Sequence, residues 1–302
     1  MSEFQTHFRK DVKLLTSDTL FIFLLVLLGV LSFFIAVTTC TSYVWSMTGG
    51  SSVVTQHALE LAQKSALVNY WSSVGNIFMV LFLAAAAMAI SVEKESGMSR
   101  YILTFRARKP AFYLSKLLLL MILVAIALVI ALVVYLVVFS FMDVPMLDAS
   151  SLAASMLFPA LGMMVFATLG LALSTFATKK GAVIALAVVV YMALTILSSF
   201  SIAMGSQAVY RDHPTAGPNN LTEFMPLEYK LLIYGNPIII SQGTSAILDA
   251  NSGSWHPFDA GGGVVLSVAF FIVFLVLGLL SFSRERMEHS WLTTVKGIRK
   301  RA

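Results

Sequence analysis

Hydrophobic and polar positions along this 302-residue chain fall into long separate blocks. Six runs contain no Asp, Glu, Lys or Arg: 19–59, 65–92, 117–142, 149–178, 181–210 and 260–283. Each can hold the roughly 20 apolar residues that cross a bilayer as a helix. The best spans inside them are about Leu20–Cys40, Ser72–Val92, Leu117–Met142, Ser151–Thr178, Gly181–Met204 and Gly261–Ser283. The pattern predicts an all-α polytopic membrane protein, one transmembrane domain over 1–302 with six transmembrane helices.

Two further segments follow from finer pattern. Residues 3–17 place Phe4, Phe8, Val12 and Leu15 at three- and four-residue spacing, with His7, Arg9, Lys10, Asp11 and Lys13 on the other faces. That spacing predicts an amphipathic N-terminal interfacial helix within residues 1–18, lying in the headgroup layer. Leu231–Leu248 is also uncharged, but Gly235-Asn236-Pro237 interrupts it. It is expected to form short helices that dip into or lie on the outer leaflet, packed against protein. The outer segment between spans five and six, 205–260, is thus short, helical or irregular, and too small and Gly/Pro/Asn-rich for an enzyme domain.

Charge orients the spans. Only 12% of residues are charged, where soluble proteins carry about a quarter, and the mean hydropathy is +0.87. With both termini in the cytoplasm, 17 of the 20 Lys and Arg face inward, leaving Lys64, Arg211 and Lys230 outside. This positive-inside division assigns the excess of base to topology rather than to nucleic acid, and the chain is expected in the plasma membrane. A seventh span at 231–248 would put the basic C-terminal tail outside and is rejected on the same rule.

The chemistry the chain lacks narrows its function. No ionisable residue falls inside the six spans, which argues against a self-powered ion-coupled carrier. There is no H-E-x-x-H, no G-x-S-x-G and no G-x-x-x-x-G-K-[ST], so neither catalysis nor nucleotide binding by a P-loop is encoded here. His7, His57, His213, His256 and His289 are scattered, and no metal site is assigned to them. The single Cys40 excludes an intrachain disulfide. No catalytic residue and no cofactor is expected in this chain.

The most informative segment is Glu93–Lys116, EKESGMSRYILTFRARKPAFYLSK, directly after span two. Glu93 and Glu95 lead, Gly97 lets the chain turn, and Tyr101, Ile102, Leu103 and Phe105 form an apolar patch. Arg106, Arg108 and Lys109 hold the end at the headgroups, and Pro110 suits the start of the third helix. This run resembles the loop of ATP-binding-cassette (ABC) type-2 permeases, roughly E-[RK]-E-x-G-T-x-x-x-L-L-[ST]-x-P-x-[ST]-R followed by a Lys. Glu93, Lys94, Glu95, Gly97, Leu103, Thr104 and Lys116 fit without a gap, while Met98, Arg106 and Lys109 depart from the pattern. Elsewhere the likeness is one of layout: an amphipathic N-terminal helix, six spans, and an Asn-Pro before the last.

The resemblance implies the transmembrane subunit of an ATP-driven transporter, itself not an enzyme. It implies a dimer, with a second copy or a similar permease, bound to separate ABC ATPase subunits that hold ATP and Mg and usually drive export. Residues 93–116 become a cytoplasmic coupling loop, with Glu93, Glu95, Gly97, Arg100, Tyr101, Leu103 and Phe105 as ATPase-coupling residues. Spans two and five would line the path, with Asn76, Phe78, Phe82, Thr195, Ser198 and Ser199 as candidate contacts. Interhelical packing accounts equally well for each of these. Two other functions fit the residues: a membrane anchor or assembly factor that recruits a cytoplasmic partner, and an ATP-independent channel.

Overall fold

A computed structural model describes residues 3–17, 19–48, 56–97, 109–214, 221–248 and 259–284. Every regular element among them is helical: α1 (Glu3–Ser17), α2 (Thr19–Thr48), α3 (Gln56–Glu95), α4 (Lys109–Phe141), α5 (Ala149–Ser155), α6 (Leu157–Leu173) and α7 (Lys180–Asp212). Then come α8 (Leu221–Phe224), α9 (Leu227–Tyr234), a 3-10 helix (Pro237–Gln242), α10 (Gly243–Leu248) and α11 (Ala260–Arg284). Among the described residues, six helices are long and apolar enough to cross a membrane: α2, α3, α4, the α5–α6 pair, α7 and α11. The all-α polytopic fold expected from the charge-free runs is present.

Helix ends follow local chemistry. Asp143 takes a left-handed φ of 50° past the end of α4, and Val144 N–H reaches back to Phe139 O at 3.0 Å. This satisfies a terminal carbonyl of α4, and Pro145 prevents the helix from resuming. Asp148 caps α5, accepting hydrogen bonds from Ser151 N–H and from the Ser150 hydroxyl. At the far end of α3, Gly97 adopts φ 76°, a conformation open to glycine at little cost.

Four spans run longer than the pattern indicates, with α4 starting at Lys109 and α7 reaching Asp212. α3 starts at Gln56, where Ser72 was expected, and α2 continues to Thr48 beyond Cys40. The charge-free run begins only at Ser65, but Lys64 and Glu60 pair at 2.9 Å one helical turn apart, so α3 carries both without breaking. Span four is the opposite case. Its helix ends at Leu173 and is divided at Met156, with Pro159 in the first turn of α6 where its missing N–H costs little.

The core lies where α3 and α6 pack. Trp71, Phe78, Phe82, Met163, Phe166 and Ala167 are buried there. Gly170 sets the spacing, because a Cβ at that position would overlap the Leu83 carbonyl oxygen. The segment from α9 to α10 enters this core from one end, with a bend of 84° between α9 and the Pro237–Leu248 stretch. Asn236 makes the bend, its Oδ1 accepting from Ile238 N–H at 3.1 Å and its Nδ2 donating to Leu194 O of α7 at 2.6 Å. Pro237, Ile238, Ile239, Ile240 and Ser241 are buried beyond it. The break foreseen at Gly235-Asn236-Pro237 is there, and the short helices it creates are sunk into the helical bundle.

Candidate functional site

At the other end of the bundle, α3 finishes in Glu93-Lys94-Glu95. Successive helical residues point about 100° apart, and these three side chains fan out to different neighbours. Glu93 Oε1 accepts from Lys116 Nζ of α4 at 2.6 Å and from Lys10 Nζ of α1 at 3.1 Å. Lys94 Nζ donates to the Thr175 carbonyl, in the turn that ends α6, at 2.9 Å. Glu95 Oε2 accepts from the backbone N–H of Lys180, the first residue of α7, at 3.0 Å. Both terminal contacts have the favourable sign, a cation at a helix C-terminus and an anion at an N-terminus.

Asp11 completes the cluster. Its Oδ1 lies 2.8 Å from Lys116 Nζ and 3.3 Å from Lys10 Nζ, and its Oδ2 accepts from Ser115 Oγ at 3.1 Å. Lys10, Asp11, Glu93 and Lys116 thus form a four-member ion network with two charges of each sign. Asp11, Glu93 and Lys116 are buried in it. Its floor is the Phe112 ring, with Lys10 and Lys116 ammonium groups 5.4 and 5.6 Å from the centroid and the His7 ring edge-on at 5.8 Å. Phe112 stacks in turn on Phe282 of α11 at 5.7 Å, and Lys109 Nζ donates to Ser283 O. Burying charge is tolerable only with partners of this quality.

The network revises the expected disposition of α1. Its buried positions are His7 and Asp11, on the side that the spacing predicts to be polar, while Phe8 and Val12 are half-buried. Phe4 and Leu15 lie in the same helix, with side chains outside the described set. The pairing that turns α1 comes from α3 and α4, and a spacing rule applied to residues 3–17 contains no signal for it. In the sequence Lys116 figures only as part of a motif, and its partner Asp11, with Lys10 beside it, falls on the polar faces of the N-terminal helix.

Of the expected coupling residues, Glu93, Glu95 and Gly97 come together at the end of α3. Arg100, Tyr101, Leu103 and Phe105 lie outside the described residues. The candidate path residues do not converge on one surface. Phe78 and Phe82 are buried in the core, Asn76 is half-buried, Ser198 is buried, and Thr195 and Ser199 are exposed on α7. Besides the Glu95–Lys180 contact, a bond from Tyr191 Oη to Asn76 O at 3.3 Å links the two helices concerned. Among the described residues, no three His, Cys, Asp or Glu side chains cluster as metal ligands would.

The fold and this junction define a multi-pass helical membrane protein whose loop-bearing end is tied together by charge. Residues 3–287 match the family described as ABC-2 family transporter protein, and the chain belongs to that family. It is therefore a membrane component of an ABC transporter. No curated protein matches it.

Proposed function

We propose that the chain is the transmembrane subunit of a dimeric exporter powered by a separate ABC ATPase. Its coupling loop is the stretch between α3 and α4. The observation that carries this reading is Lys116, which bonds Asp11 and Glu93 together and so joins both ends of that stretch to α1. A push on the loop would be passed to several helices at once. It would reach α1 through Asp11, α4 through Lys116, the end of α6 through Lys94 and the start of α7 through Glu95.

On this reading the loop-bearing end and both termini are cytoplasmic, in the plasma membrane, as the basic residues favour. α1 and the end of α11 lie at that same end, which agrees with six crossings. Closure of two ATPases on ATP and Mg would move the paired loops, and α3 and α7 would change their relation around the path. The inserted segment from α9 to α10 would close the opposite end, since it contacts α6 and bonds α7 through Asn236.

The test is co-purification with an ABC ATPase, followed by ATP hydrolysis in lipid. Hydrolysis should fall several-fold in Glu95→Ala and in Glu93→Ala, with folded protein verified by protection of the buried Cys40 thiol. Retention of no ATPase, or hydrolysis indifferent to both substitutions in folded protein, would overturn the coupling assignment.

A further inference from the structure

The α2–α3 pair holds a cavity of about 540 Å³ that the coupling mechanism does not use. Eight of its ten lining residues carry a hydroxyl or a side-chain amide, and none is charged. This is a sharp change within α2. Six of the eleven residues from Thr38 to Thr48 are Ser or Thr, whereas the stretch before them is almost wholly apolar.

The hydrogen bonds give the cavity a polarity. Thr38 Oγ1 donates to Ile35 O at 2.9 Å, Ser42 Oγ to Thr38 O at 2.9 Å, and Ser46 Oγ to Tyr43 O at 2.6 Å. Each hydroxyl spends its only proton on its own helix, so what remains for the cavity is lone pairs. Across from them stand Ser65 and Asn69 of α3, with Tyr43 as an aromatic wall. A shallower recess adjoins it, sharing Thr38 and Ser42 and flanked by the exposed Trp45.

Position follows from helix length. Thr38 lies about 28 Å along α2 from Thr19, and Ser73 about 30 Å along α3 from Glu93, at 1.5 Å per residue. That is one hydrocarbon thickness from the charged junction, so the cavity opens at the opposite membrane surface, at headgroup level.

We propose that this cavity binds an uncharged polyhydroxyl group, a sugar or glycosyl unit of one or two rings. The reasoning is by chemistry and size. Thr38, Ser42 and Ser46 present lone pairs, while Ser65, Asn69 and Ser73 can donate as well as accept, and a mixed, uncharged lining of this kind matches a ligand whose hydroxyls do both. The absence of lining charge disfavours an ionic ligand, whose desolvation would be left uncompensated. A bare cation would suit hydroxyl oxygens too, but it would leave most of 540 Å³ unfilled. The Tyr43 and Trp45 rings offer flat apolar faces of the kind that meet the C–H faces of sugars.

The source of such a group is either a free sugar or the headgroup of a neutral glycolipid, and two arms separate them. The intact chain in nanodiscs is titrated with maltose, and separately prepared with increasing monoglucosyl diacylglycerol. Tryptophan emission is read against Trp45→Phe to isolate the Trp45 signal. Saturable change in the first arm assigns a soluble ligand, and change in the second alone assigns a headgroup. Thr38→Val and Asn69→Leu should each weaken the response about tenfold, the equivalent of one lost hydrogen bond. Ser206→Ala, which removes a comparable hydroxyl on α7 that does not line the cavity, should leave it unchanged. No saturable response in either arm, or equal responses in all variants, would overturn the proposal. No ATPase enters the assay, so its failure would leave the coupling reading standing.

Discussion

Glu95 accepts a hydrogen bond from the backbone N–H of Lys180, so the last residue of α3 holds the first residue of α7. The contact satisfies one of the donors that every helix N-terminus leaves open, and it places a negative charge where the helix dipole favours one. Glu95→Ala should therefore lower stability by about 0.5–2 kcal/mol, the usual worth of such a cap. Glu95→Gln, which keeps an acceptor, should recover most of the loss. Thermal release of the Cys40 thiol to a reactive dye measures both, since the chain has one cysteine and it is buried.

The ion network should respond asymmetrically to truncation. Lys116→Met leaves Asp11 and Glu93 buried beside each other with one shared cation, at a cost of about 3–5 kcal/mol. Adding Asp11→Asn to Lys116→Met removes the orphaned charge and should return part of that stability. An additive double variant in the same thiol assay would show that Asp11 and Lys116 are not coupled.

Gly170 should tolerate no side chain. Gly170→Ala would drive a methyl group into the Leu83 carbonyl, a backbone atom that cannot rotate away, at a cost of about 1–3 kcal/mol. Gly181→Ala meets nothing within 4 Å and serves as its control. Equal unfolding temperatures for the two variants would refute the close α3–α6 approach.

Acid should selectively loosen the start of α5. Hydrogen bonds from Ser150 and Ser151 lower the Asp148 carboxyl from its ordinary 3.8 to about 2. A depressed folded value means that the contribution is complete above about pH 4 and disappears as pH falls through 2. The stability difference between the natural chain and Asp148→Ala should accordingly be present at pH 6 and close toward pH 2. A difference independent of pH would mean that the carboxylate is not the capping group.

Asn236 should matter more than its polar neighbours. Asn236→Leu removes the donor to Leu194 O and the acceptor for Ile238 N–H together, at a cost of about 1–3 kcal/mol. A cysteine pair placed across α7 and the 3-10 helix on a Cys40→Ser background should then cross-link more slowly. Unaltered cross-linking would mean that the inserted segment is held by apolar packing alone.

Much of the architecture was legible because it depends on local rules. Charge-free runs fixed the six crossings, Asn236-Pro237 marked the bend, and Gly97 marked the turn that closes α3. Where the pattern and the structure part, one cause is that a one-dimensional pattern cannot pair distant charges. The spacing of Phe4, Phe8, Val12 and Leu15 selected an apolar face for α1, yet Asp11 turns inward because Lys116 waits 105 residues away. Keeping each span inside a charge-free run also cut α3 short, since Glu60 and Lys64 neutralise each other on its surface. Phe78 and Phe82, candidates for a path by the span they occupy, are buried in the core of this single chain.

The same separation sets an order of events during synthesis. Asp11 leaves the ribosome 105 residues ahead of Lys116, roughly 5–20 s earlier at ordinary translation rates. Glu93 follows Asp11 but also precedes Lys116, so two acidic groups reach the membrane surface before the lysine that bridges them. Until the third crossing begins to insert, the N-terminal helix has no seat on α4 and its Asp11 remains hydrated. The junction is thus a late-closing latch in biogenesis, and a nascent chain stalled after the second crossing should leave α1 open to proteases that the finished protein resists.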